Sequence, residues 1–222
     1  MSEEYYSAGQ LLWLEVDAKI RSLTGDRESL DTFASRFFGI DNGSFVTKTY
    51  TFDDLVAALN GVVKYDWAGF LHQRLDDHRP PLAGIEASGW KLVYTDQESR
   101  FQKVYDKNVT SRHKIGFALS IGLQIGKKGE IGDVRWNGPA FEAGVSTGAT
   151  VVAVNGREYT PEVMRRAIEA AEHSKDPITL LLKYQGEYKT VAVDYHGGPQ
   201  YPHLVRVDGT PDYLDEIISA RK

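Results

Sequence analysis

The sequence predicts an α+β protein, with a helical first part followed by short strands and one main flanking helix. Three observations carry this expectation. Apolar residues in the first 81 positions recur at three- and four-residue intervals between capping signals. After Pro80-Pro81 the texture changes to short apolar runs separated by glycine turns. One helix with a strong start signal, Thr160-Pro161-Glu162, lies among those runs.

The elements follow in chain order. From Tyr5 onward, Leu12, Val16, Ile20 and Leu23 fall near helical spacing, and Trp13 and Leu14 widen the stripe. Gly25 is placed to end that helix in a left-handed cap. Ser29 caps a second helix, whose inner face is Leu30, Phe33, Phe37 and Phe38 and which stops at Gly39. Thr51-Phe52-Asp53-Asp54 starts a third, because the Thr51 hydroxyl accepts from a free first-turn amide and the aspartates favour the positive helix end. It carries Leu55, Val56, Leu59 and Val63 inward. Asp66 caps a fourth, with Trp67, Phe70, Leu71 and Leu75 inward, and Pro80-Pro81 stops it. Leu92, Tyr94 and Val104 suggest strands in a connecting segment. The helix after Thr160 turns Val163, Met164, Ala167, Ile168 and Ala171 inward. Strands over 178–184 and 188–193 flank a Gln185-Gly186-Glu187 hairpin signal, and a short helix is expected over 213–218.

Composition excludes several function classes. The chain of 222 residues has a formal net charge of −5, against the basic face a nucleic-acid binder needs. Its basic clusters, Arg112-His113-Lys114 and Lys127-Lys128, are short and read as solvated surface. There is no cysteine, which removes disulfides, thiolate nucleophiles and cysteine-based zinc sites. Met-Ser-Glu-Glu is no signal peptide, and the strongest apolar run, Leu11 to Leu14, is far too short to span a membrane. The compartment stays open between bacterial cytoplasm and periplasm.

The stretch from Ser120 to Gly156 holds three features in order. These are a Ser-Ile-Gly-Leu loop, a Gly-Pro-Ala-x-x-Ala-Gly turn, and an apolar strand closed by Val154-Asn155-Gly156. This order resembles a PDZ domain of the kind found in bacterial proteases. The resemblance implies a PDZ-like β-barrel or sandwich with one main flanking helix, and a groove that takes peptides or protein C-termini as an added strand. The loop Ser120, Ile121, Gly122 and Leu123 would turn its amides into a nest for a terminal carboxylate, where a side chain at Gly122 would block close approach. The strand from Leu123 to Ile125 would pair with the peptide, and Met164 and Ile168 would line the opposite wall. Two plainer readings stay open: Ile121, Leu123, Met164 and Ile168 as core, and Gly122 as a bulge.

Other motifs fail on spacing. GLQIGKK has three residues between its glycines where a phosphate loop needs four, and no Ser or Thr follows the lysine. None of His72, His78, His113, His173, His196 and His203 forms H-E-x-x-H, and G-x-S-x-G is absent.

A second resemblance covers nearly the whole chain. YYSAGQLLWLEVDAKIRSLTGDRESLDTFASRFFG is similar to the helix pair after the zinc site of thermolysin-like aminopeptidases. With YDWAGFLHQRLDD, the GW-x-LVY segment and the closing DYHGGPQYPHL, it resembles the C-terminal part of the glycyl aminopeptidase family of zinc metallopeptidases. The resemblance implies 1–81 as the end of a catalytic domain, 82–112 as a connector, 113–195 as the PDZ-like domain and 196–222 as a tail. It also implies zinc in a full-length parent, with the ligands outside this chain. Tyr6 would stabilise the oxyanion, Tyr5 being the competing assignment. The expected partners are the missing catalytic subdomain and a second copy through an exposed helical face. The alternative is a peptide-binding module without chemistry.

Overall fold

The computed structural model describes residues 4–41, 43–76, 82–108 and 115–220. Pro80-Pro81, His78, the Arg112-His113-Lys114 cluster and the Tyr5 side chain lie outside the described residues. In chain order the helices α1 (Glu4–Thr24), α2 (Leu30–Phe37), α3 (Phe52–Val62), α4 (Trp67–Asp76) and α5 (Ala83–Ala87) come first. They are followed by β1 (Trp90–Thr95), α6 (Arg100–Asn108), β2 (Ile115–Phe117), β3 (Leu123–Ile125), β4 (Ile131–Val134) and α7 (Pro139–Glu142). Then come β5 (Thr150–Val154), β6 (Arg157–Glu158), α8 (Pro161–Glu172), β7 (Ile178–Tyr184), β8 (Glu187–Val193), β9 (Tyr201–Arg206) and α9 (Tyr213–Ile218).

The chain forms two compact units, Met1–Leu92 with Leu204–Lys222, and Val93–His203. The boundary falls inside β1 and β9, which pair as a two-stranded ribbon. The short helix α9 is grouped with the helical unit.

In the helical unit, local signals set the helix ends. Thr51 and Asp54 close a reciprocal capping box: the Thr51 hydroxyl accepts from the Asp54 amide, and the Asp54 carboxylate accepts from the Thr51 amide at 2.8 Å. The Asp66 carboxylate accepts from the Gly69 amide at 3.0 Å at the start of α4. Val16, Ile20, Phe33, Leu59, Trp67, Phe70 and Leu71 form the core. The Trp67 indole N–H donates to the Val63 carbonyl at 3.0 Å, so its polar atom is satisfied inside. Gly84 lets α5 lie against α1, since a Cβ there would come within 2.6 Å of the Leu11 carbonyl oxygen. Phe38 and Leu75, expected inward, are exposed, because α2 ends one residue before Phe38 and Leu75 sits on the outer face of α4.

In the second unit, β2-β3-β4 form one sheet and β6-β5-β7-β8 another, and no closed barrel is present among the described residues. The β7–β8 hairpin turns at Gln185 and Gly186, both with positive φ, as a two-residue turn between right-twisted strands requires. Thr160 caps α8 by accepting from the Val163 amide at 3.1 Å, and Met164, Ala167, Ile168 and Ala171 pack inward. Val104 lies in α6 and not in a strand, since the polar residues around it leave no two-residue alternation to sustain one.

Candidate functional sites

The loop at Gly122 is built from both sides. Gly122 has φ +82°, a left-handed conformation that favours glycine. Its carbonyl accepts from the Arg135 amide at 2.8 Å, and the Ile121 carbonyl accepts from the Ala140 amide at 3.0 Å. The Gly-Pro-Ala turn, which forms α7, thus holds the loop through backbone bonds. Ile121, Leu123, Ile125, Met164 and Ile168 share one cluster, and all five are buried. The structure therefore brings the expected groove residues together, but as packed core with no open floor. The strand from Leu123 to Ile125 is flanked on both edges, by β4 and by β2. A peptide added at that strand would have to displace β2.

Ser120 is buried and engaged elsewhere. Its hydroxyl accepts from the Gln200 amide at 3.2 Å and is hydrogen-bonded to Tyr195. Burial is the main cause that pushes the Tyr195 phenol up, and its hydroxyl donates to the Gly198 carbonyl at 2.7 Å. The DYHGG segment thus fastens down behind the loop. His196 sits with Nδ1 2.9 Å from the Ala171 carbonyl oxygen and Nε2 2.9 Å from the Asp194 carboxylate. Bonding to that carbonyl, then to Asp194, raises its pKa, because the imidazolium can donate to both. At the other end of α8, a cleft of about 740 Å³ is lined by Ile115, Lys127, Thr160, Glu162 and Arg165. Glu98 lies beside it, 3.5 Å from Arg165 and accepting from the Tyr201 hydroxyl at 3.2 Å. Burial, then the Glu98 charge, push that phenol up to about 12.

In the helical unit, Tyr6 stands in the first turns of α1 and is 62% exposed. It borders an apolar cleft of about 770 Å³ walled by Trp13, Phe33, Phe38, Tyr50 and Leu214. Below it are two buried carboxylates that sequence reasoning missed. Glu15 accepts from Arg74 Nε at 3.0 Å and Nη2 at 2.8 Å, a two-pronged pair between α1 and α4. Asp17 accepts from the Leu30 amide at 2.7 Å and lies 3.3 Å from Arg21. Both carboxylates are spoken for by the fold. Among the described residues no three His, Cys, Asp or Glu side chains come together as metal ligands. No helix among them is long and apolar enough to cross a membrane.

Ile115 and Phe117 were also missed as site residues. Their only trace in sequence is two apolar residues around a glycine, too short a run to read as a strand.

No protein-family model matches this sequence, and no curated protein matches it. Over 97% of its length the chain is similar to the crystal structure of an aminopeptidase N family protein from Idiomarina loihiensis, with a TM-score of 0.65 and 17% identity. It covers 36% of that protein, so the chain spans about a third of the length of its structural neighbour. The HtrA3 PDZ domain bound to a phage-derived ligand (FGRWV) matches 53% of this chain and 91% of that domain, at 16% identity and a TM-score of 0.27. The latter overlap is too slight to argue from. The former shows a shared fold: the chain has the architecture of part of an aminopeptidase N family protein.

Proposed function

We propose that this chain is the C-terminal part of a zinc metallopeptidase of the glycyl aminopeptidase family, with a PDZ domain as its second unit. The observation that carries this is the likeness in fold to an aminopeptidase N family protein along 97% of the chain. The ordered motifs at Tyr5-Tyr6 and Asp194-Tyr195-His196-Gly197-Gly198 narrow it to the glycyl branch. On this reading the parent removes N-terminal residues from peptides, and zinc is held by residues outside this chain. Tyr6 supplies a neutral hydrogen-bond donor to the oxyanion of the tetrahedral intermediate. Tyr6 stands exposed at the rim of the cleft. Phe38, Phe45 and Tyr50, exposed on the helical unit, supply a face for the rest of the catalytic unit.

The test is hydrolysis of a panel of aminoacyl anilides with added zinc. The purified chain is expected to be inactive, and the product of the complete open reading frame active. In that product Tyr6→Phe lowers kcat by about 10²-fold, the usual effect of losing one oxyanion donor. Zinc-dependent turnover by this chain alone would overturn the reading. So would an active parent whose kcat ignores Tyr6→Phe, for the Tyr6 part.

A second reading, a peptide-binding module without chemistry, is favoured by one observation. The Ser120 and Gly122 amides converge on a single acceptor, the Phe117 carbonyl. Binding of C-terminal peptides tests it, as described next.

A further inference from the structure

The edge of β3 that a peptide would join already carries β2, and the details of that pairing are those of a bound C-terminus. β2 runs antiparallel to β3, with Phe117 opposite Leu123, Gly116 opposite Gln124 and Ile115 opposite Ile125. At its loop end the Phe117 carbonyl oxygen accepts from the Ser120 amide at 3.2 Å and the Gly122 amide at 3.0 Å. These are the donors of the nest expected for a carboxylate, and here they hold a main-chain oxygen. The side chains alternate as an added strand requires. Phe117 and Ile115 are only 5% and 4% exposed and belong to the same cluster as Met164 and Ile168, while Gly116 faces outward with open space around it.

We infer that Ile115–Phe117 is a built-in occupant of the peptide groove, so that an outside peptide binds only when β2 leaves β3. This rests on the peptide-binding reading given above. Phe117 stands for the last residue, its carbonyl for one carboxylate oxygen, and Ile115 for the residue two before. A tethered strand competes at an effective concentration on the order of millimolar. The free groove is therefore a minor state, and the apparent affinity for an outside peptide falls by the fraction open. Among the described residues β2 runs from Ile115 to Phe117, and a short edge strand is open to exchange.

The absence of cysteine makes a clean test available. Gly116→Cys with Gln124→Cys places a thiol on each of two directly paired residues, and antiparallel partners lie within disulfide reach. The probe is a short fluorescent peptide ending Ile-Gly-Phe with a free carboxylate, followed by anisotropy. A second variant, Ile115→Ser with Phe117→Ser, weakens the seated strand. The oxidised double-cysteine protein is expected not to bind the probe, and reduction restores the wild-type affinity. The serine variant, checked for folding by its thermal melt, is expected to bind about tenfold tighter or more. Amidating the peptide, or ending it in Asp, is expected to weaken binding at least as much. Equal binding by the oxidised and reduced forms would overturn self-occupancy while leaving peptide binding intact. Absence of binding by the reduced, wild-type and serine proteins alike, at millimolar peptide, would overturn both. Equal binding of the amidated peptide would remove the role given to the nest.

Discussion

The two units differ in how they arrange apolar surface. The second unit leaves Trp136 and Phe101 exposed but fills its core: Ile121, Leu123 and Ile125 are fully buried, and the strand edge beside them is occupied by Ile115 and Phe117. The helical unit buries Trp67, Leu59 and Ile20 but leaves Phe38 66% exposed, together with Phe45, Tyr50 and the aromatic cleft around Trp13. Exposed apolar area on this scale marks a surface that meets something. The chain thus holds a filled groove edge in one unit and an open aromatic cleft in the other.

Mutations can break or sharpen that contrast. The largest losses are expected where packing is complete. Trp67→Ala in one unit should cost about 3–5 kcal/mol and Leu123→Ala in the other about 2–5 kcal/mol, measured by urea unfolding. A loss below about 1 kcal/mol at Leu123 would show that the second unit is less tightly packed than its burial implies. Next is Thr51→Ala, which removes the hydroxyl half of the capping box and leaves the backbone amide on Asp54, for about 1 kcal/mol. The Thr51 amide and hydroxyl hold the Asp54 carboxylate below its ordinary range, so this contribution is present near neutral pH and fades as pH falls through the lowered value. The same cost at every pH would refute that link.

His196 gives a smaller effect of opposite sign. Its pKa is raised in the folded chain, so its stabilisation is complete below the unfolded value of about 6.5 and is lost as pH climbs through the folded one. The stability gap between the wild type and His196→Gln should narrow between slightly acidic and alkaline pH, and a constant gap would disprove the assignment. The smallest effect is expected at Phe38→Ala, within about 0.5 kcal/mol in this chain. A multi-kilocalorie loss there would mean that the helical face is already covered, by a second copy for example, which sedimentation would reveal.

Much of this was legible in sequence wherever the signal is local. Thr51-x-x-Asp54, Thr160-Pro161 and Asp66 named their helix starts, and Gln185-Gly186 named its hairpin. Long-range partners left no such trace. Glu15 finds Arg74 across 59 residues, and β9 pairs with β1 across more than a hundred, through no motif either carries. The groove shows the same division. Gly122 and the turn at Pro139 could be read directly, whereas its occupation by Ile115 and Phe117 depends on pairing between short strands, which composition does not encode.

The helical unit is made of two stretches, and the second is clasped to the first near Gly89. The Trp90 indole donates to Asp212 at 2.8 Å, the Arg206 guanidinium bonds the Gly89 carbonyl, and the Leu214 amide reaches the Ser88 carbonyl at 3.3 Å. During vectorial synthesis, at about 5–20 residues per second, the intervening unit is complete before these partners leave the ribosome. The earlier stretch of the helical unit is thus finished only after the unit that follows it in the chain. Until then Trp90 waits without its acceptor, and a nascent-chain chaperone would find a long-lived target beside it.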